Sequence, residues 1–180
     1  MTIRLLDALE ARRAIPQLCA VLCDCVQGGA SVGFMLPFSK DEALSFWSAT
    51  IDAVERGDIL LLAAEHDGEI VGTVQIGLRQ PPNQPHRADL KKLLVHRKAR
   101  GLGLSRLLMA AAEDAAARAD KSLLVLDTAR GEIAETIYEK LGWSRAGMVP
   151  DYALFPDGRF CDTVIFYKRL ANASHESLSA

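Results

Sequence analysis

No stretch of the sequence approaches the roughly eighteen consecutive apolar residues that would span a bilayer, and no long apolar segment precedes the first acid, Asp7. Neither a membrane helix nor an export signal is expected, and a cytoplasmic location is. Charge of one sign is also lacking. There are 21 Lys and Arg against 23 Asp and Glu, a net −2, which removes the bulk electrostatic case for nucleic acid or a membrane surface as partner. Any anion site has to be local. Cysteine is scarce: Cys19, Cys23 and Cys25 share one short stretch and Cys161 is remote, so no disulfide framework is laid out and reduced thiols are expected. Cys19 and Cys23 stand one helical step apart, but with no CxxC pair and no nearby histidine they read as small buried residues on a helix. The histidines have no ligand spacing, and no metal is expected. Repeats, low-complexity tracts and linkers are missing too. The 180 residues fit one domain, residues 1–170, followed by a small, polar, frayed tail at 171–180.

What is present alternates between strand and helix patterns. Thr2 to Leu6 reads as a strand and Ala8 to Val26 as a helix that Pro16 kinks or divides, ending at Gly28-Gly29. Ser39 caps a second helix, Lys40 to Arg56, closed by Gly57. Ile59 to Glu65 and Glu69 to Leu78 flank His66-Asp67-Gly68, a hairpin signal. After the proline-rich loop Gln80 to Pro85, Ala88 to Val95 forms a strand whose apolar spacing slips at Lys91-Lys92, as a bulge would require. Leu104, Leu107, Leu108, Ala111, Ala112 and Ala115 give one apolar helix face. Leu123 to Leu126 reads as a strand buried on both faces, Ile133 to Leu141 as a helix, and Tyr152 to Phe155 with Thr163 to Tyr167 as a closing hairpin about Pro156 to Arg159. The expectation is a mixed α/β (α+β) fold with about four helices and a central mixed sheet splayed at its bulged fourth strand.

Chemistry concentrates at Arg100-Gly101-Leu102-Gly103-Leu104-Ser105, where a strand turns into a helix. Helix-start amides lack internal partners and the helix dipole is positive there, which suits phosphate. Gly101 and Gly103 clear the approach, and Arg100 adds charge, with His96, Arg97 and Lys98 upstream. The alternative is a purely structural glycine turn. A Walker loop is ruled out because no Gly-Lys-Ser/Thr follows, and a dinucleotide fold lacks its third glycine.

In these residues the chain resembles the GNAT superfamily of N-acetyltransferases, whose signature Gln/Arg-x-x-Gly-x-Gly/Ala binds the coenzyme A pyrophosphate. Ser105 stands where glycine or alanine is usual. Leu93-x-Val95 ahead of the loop and Ala134-x-x-x-Tyr138-x-x-x-Gly142-Trp143 after it match further family features, while Gly131 replaces an asparagine that helps hold the pantetheine arm. Gly28 to Met35, Asp127-Thr128 and Pro156 to Arg159 are similar to segments of the tabtoxin-resistance branch, which acetylates a β-lactam phytotoxin.

The resemblance implies a GNAT fold, acetyl-CoA as cosubstrate, and direct transfer of acetyl to the primary amine of a small molecule, with a β-lactam or amino-acid-like toxin as the nearest model. The cofactor would be held by Arg100, Gly101, Leu102, Gly103, Ser105 and Arg106, and along the splayed strand by Leu93, Leu94 and Val95, with the N–H of Leu94 or a neighbour facing the thioester oxygen. Tyr138 would protonate the leaving thiolate, its alternative being a core tyrosine. Asp127, at the carboxyl end of its strand, is a candidate to bind and deprotonate the amine, or else supports the next helix. Asp89 resembles a second acid of the branch, or is a solvated strand-edge acid. Ser31, Phe34 and Met35 would line the acceptor, or belong to a plain connector, while Phe46 and Trp47 read as core. A protein or peptide acetyltransferase and a non-catalytic acetyl-CoA sensor are the rival readings. Either a monomer or a homodimer fits.

Overall fold

The structure is a computed structural model that describes residues 1–171. The expected tail therefore lies, apart from Ala171, outside the described residues. Strand β1 (Thr2–Leu6) runs to Asp7, which caps helix α1 (Ala8–Arg13) in a reciprocal box with Glu10. The proline divides the first helical stretch rather than kinking it. Helix α2 (Ile15–Gln27) starts afresh with Pro16 in its first turn, where a missing N–H costs nothing. Ser39 and Glu42 form a second capping box at helix α3 (Lys40–Glu55).

Strands β2 (Ile59–His66) and β3 (Glu69–Gly77) form the expected hairpin, with positive φ at both Asp67 (51°) and Gly68 (78°), as a tight hairpin turn demands. Strand β4 (Arg87–Val95), helix α4 (Leu104–Arg118), strand β5 (Leu123–Ala129), helix α5 (Ile133–Lys140) and strands β6 (Ser144–Leu154) and β7 (Phe160–Arg169) complete the chain. The seven strands lie in one sheet, ordered β1-β2-β3-β4-β5-β7-β6, in which only the central β4–β5 pair is parallel.

Two elements depart from the sequence expectation. β5 is not buried on both faces: Leu124 and Leu126 are buried while Asp127 is exposed, so the strand alternates and continues to Ala129. β6 starts at Ser144 rather than near Tyr152. It is an exposed edge strand, so no alternation marks it, and its register slips twice against β7, with Asp151 at φ 51°.

Each sheet face carries its own core. On one, Ile76, Leu90, Leu124 and Phe166 pack against Leu104, Leu108 and Met109 of α4. On the other, Leu61, Ala63 and Leu94 meet Leu18 and Leu22 of α2 and Trp47 and Ile51 of α3. Leu107, expected on the buried face of α4, is 38% exposed at its rim.

Candidate active site

The bulge falls where the lysine pair predicts it. Gln75 of β3 faces Lys91 and Thr73 faces Leu94, leaving Lys92 and Leu93 opposite Val74 alone, with Lys92 at φ 53°. The fully buried Thr73 hydroxyl donates to the Lys92 carbonyl oxygen at 3.2 Å and pins the bulge. Pairing of β4 with β5 is confined to Arg87–Asp89 against Leu123–Val125, so beyond Asp89 a gap opens between the two parallel strands.

Backbone alternation fixes what faces that gap. The N–H of His96 donates to the Val71 oxygen of β3, so Leu94, two residues back, also turns toward β3. The Lys92 carbonyl turns toward β3 as well, which sends the N–H of the same peptide, that of Leu93, to the gap. Leu93 and Val95, not Leu94, therefore point backbone groups at the open side.

At the end of β4 a 3₁₀ turn (Arg97–Ala99) precedes the glycine loop. Gly101 (φ 82°) and Gly103 (φ 74°) hold left-handed conformations with open space where a side chain would project, and no side chain caps α4 at Gly103. Ser105 and Arg106 sit in the uncapped first turn, Ser105 half-buried and Arg106 exposed, and Leu102 is exposed. The backbone thus offers an uncovered cradle of amides, the fit an anionic diphosphate requires. The charge around it is smaller than the sequence implies. His96 and Arg97 pair with Asp24 of α2, and Lys98 pairs with Glu69, which leaves Arg100 and Arg106 as the basic groups at the loop without an acid partner among the described residues. Asp24 is held there below its usual pKa because the N–H and guanidinium of Arg97 outweigh the effect of its burial.

Tyr138 is 5% exposed, and its ring packs on Trp143 and Phe166. Burial, and then the charge of Asp127, push the phenol pKa well up, so it stays protonated. The ring is in the core, and the phenol lies within electrostatic reach of the exposed acid Asp127. Asp127 lies inside β5, facing Ile165 of β7, and the next helix is capped at Glu132, so Asp127 does not cap it. Asp89 is the second acid singled out in the sequence. It sits near the start of β4, level with Val125, and its two oxygens accept from Arg87 and from Gln80 (2.9 Å).

The loop ahead of α3 is fastened down. The Ser31 hydroxyl donates to the Leu154 oxygen (3.1 Å) and the Leu36 N–H to the Pro156 oxygen (2.9 Å), tying the loop to the β6–β7 hairpin. Phe34 packs between Phe38, tilted at 4.7 Å, and Phe46, edge-on at 5.3 Å, while Met35 is 43% exposed at the rim. Trp47 is core as expected, but Phe46 is half-buried and borders a cavity. Cys25 and Cys161 are buried and Cys19 and Cys23 half-buried, all as free thiols, and burial holds the Cys25 pKa up at about 11. Among the described residues no helix is long and apolar enough to cross a membrane, and no His, Cys, Asp and Glu cluster could hold a metal ion.

Sequence reasoning missed Lys92 as more than a bulge marker. Two adjacent lysines in a strand otherwise bound for the interior were the available signal.

A mixed sheet whose parallel centre gapes beside a glycine-rich helix start defines an acyl-coenzyme A-dependent transferase. Residues 31–143 match the model of the Acetyltransferase (GNAT) family, and the chain belongs to that family of N-acetyltransferases. It is 29% identical over 129 residues to an uncharacterized N-acetyltransferase encoded in the hisH-hisA intergenic region of Azospirillum brasilense, covering 71% of this chain and 74% of that one. The fold is shared with an N-acetyltransferase of Staphylococcus aureus Mu50 (TM-score 0.78, 18% identity, 94% of this chain and 98% of that one). It is shared also with yncA of Salmonella typhimurium, solved with its cofactor acetyl-CoA (TM-score 0.75, 20% identity, 99% of each chain).

Proposed function

We propose that this chain transfers acetyl directly from acetyl-CoA to the primary amine of a small molecule, in a ternary complex without an acyl-enzyme. The observation that carries this is the gap between β4 and β5, with an exposed acid, Asp127, and a buried phenol, Tyr138, close enough to interact. Asp127 takes the ammonium proton, directly or through water, and frees the lone pair to attack the thioester. The backbone N–H groups of Leu93 and Val95 supply unpaired donors along the cofactor arm, and an N–H of this bulged segment polarises the carbonyl. Tyr138, kept protonated by burial and by the charge of Asp127, gives its proton to the departing thiolate, and the proton that Asp127 takes up removes the negative charge that opposes this transfer. The amides from Gly101 to Ser105, with Arg100 and Arg106, hold the pyrophosphate. Asp89, already engaged by Arg87 and Gln80, holds the loop after β3 in place.

A small acceptor is favoured over a peptide because Ser31 and Leu36 fasten the α2–α3 loop to the closing hairpin, and a peptide calls for an open groove and a freer loop. The segments that resemble the tabtoxin-resistance branch support an amino-acid-like toxin as the model acceptor.

The test is thiol release from acetyl-CoA with a panel of small amines. Tyr138→Phe and Asp127→Asn should each lower kcat by about 10²–10⁴-fold while acetyl-CoA affinity stays within about twofold. Tight acetyl-CoA binding with no thiol release for any amine would make the protein a sensor and not an enzyme.

A further inference from the structure

The bulge that opens β4 also carries a lysine into the molecule. The Lys92 ammonium donates to the Val32 carbonyl oxygen at 2.6 Å and lies 5.4 and 5.6 Å from the ring centres of Phe34 and Phe46. An ammonium has three hydrogens to donate. Among the described residues one of them has an acceptor, and the two rings offer only their faces.

Lys92 borders a cavity of about 270 Å³ between α3 and the sheet. Its other lining residues include Phe46, Thr50, Gln75 and Lys91, and no Asp or Glu is among them. Gln75 is 1% exposed and its buried Nε2 has no hydrogen-bond partner. A buried donor without an acceptor is disfavoured and rare, so a ligand oxygen there would satisfy a group the fold leaves unsatisfied. Donors and positive charge thus converge in a chain whose net charge is −2. Burial, with Lys91 adjacent, lowers the Lys92 pKa, a cost that a bound anion would relieve, and Asp127 acts on it from across the gap. A second cavity, about 290 Å³ near His86 and Arg169, is bordered by Leu123 at the opposite end of β5.

We infer that this cavity binds a carboxylate of the acceptor, so that the substrate is a primary amine bearing a carboxyl group, its nitrogen at Asp127 and its carboxylate at Lys92 and Gln75. The inference rests on the acetyl-transfer reading above and adds to it the residues that would hold the acceptor's carboxylate. Phe34 and Phe46 flank the apolar stem between the two charges.

The experiment compares amino acids from glycine to 6-aminohexanoate, together with common α-amino acids, against the primary amide and the decarboxylated amine of each, by thiol release at saturating acetyl-CoA. The best acid should exceed its amide by at least about tenfold in kcat/KM, the scale of a charge-assisted hydrogen bond. Lys92→Met should bring that ratio close to one through KM, Lys92→Arg should keep most of it, and Gln75→Leu should reduce it several-fold. Acetyl-CoA affinity reports whether each variant is folded, and Gln75→Leu probes the same cavity if Lys92→Met is not. Acids no better than amides in the wild type overturn the carboxylate site and leave the acetyltransferase standing. So does a ratio that survives in every folded variant. Absence of thiol release with every amine overturns both.

Discussion

Lys92 and Asp127 carry opposite charges within electrostatic reach of each other, and a single buried hydroxyl ties down the backbone at Lys92. Thr73 compensates the irregular backbone by donating to the Lys92 carbonyl, which the bulge removes from the ladder. Thr73→Val keeps shape and burial but strands that carbonyl, and should lower stability by about 1–2 kcal/mol in urea unfolding. Acetyl-CoA affinity should fall with it as the gap loses its set width. Wild-type values for both would mean that the hydroxyl does not hold the bulge. Tyr138 could be singled out in the sequence because it belongs to a spaced pattern, Ala134 to Trp143. Lys92 was not, because its meaning lies in which rings and which glutamine come to surround it, and those arrive from α3, β3 and the preceding loop.

Among the elements, β4 shows most clearly what could be read in advance. The slip in its apolar spacing located the bulge, and the turn residues located the loops on either side. What the spacing could not show is why β3 tolerates the distortion. A side chain at Gly72 would come within 2.9 Å of the Leu94 carbonyl oxygen and 3.2 Å of Leu108 on α4. The neighbouring strand's backbone and the helix both crowd the one place a side chain would take, so only glycine fits without a shift. Gly72→Ala should cost about 1–3 kcal/mol by overpacking, with the loss read from the urea midpoint. An unchanged midpoint would show that β4 and α4 can retreat without cost. β5 and β6 were misread for a shared physical reason. Neither strand has two covered faces, and pattern recognition follows burial, so an exposed acid shortened one strand and an unpatterned edge hid most of the other.

Over the whole molecule, stability should form a plateau in pH bounded by groups of opposite behaviour. Several carboxylates, including Asp24 at the loop clamp and Glu42 in the α3 cap, have folded pKa values below their unfolded ones. Their contribution is present above the unfolded pKa and is lost as pH falls through the folded value. Cys25 and Tyr138 are raised, both chiefly by burial. For them the folded state holds its proton longer than the unfolded chain, so stability is complete below the unfolded pKa and declines as pH climbs past it. For Cys25 the window runs from 9.0 to about 11. Lys92, lowered by burial, works against this decline, because its unfolded form carries the proton to higher pH than its folded form. With Cys19 and Cys23 also raised by burial, four raised groups against one lowered group leave a net loss on the alkaline side. Urea midpoints measured under reducing conditions at about pH 8 and about pH 11 should therefore fall, and Cys25→Ala should remove on the order of 2 kcal/mol of the difference. A fall of equal size in both proteins would place the alkaline sensitivity elsewhere than in the thiol that α2 presses against the end of β4.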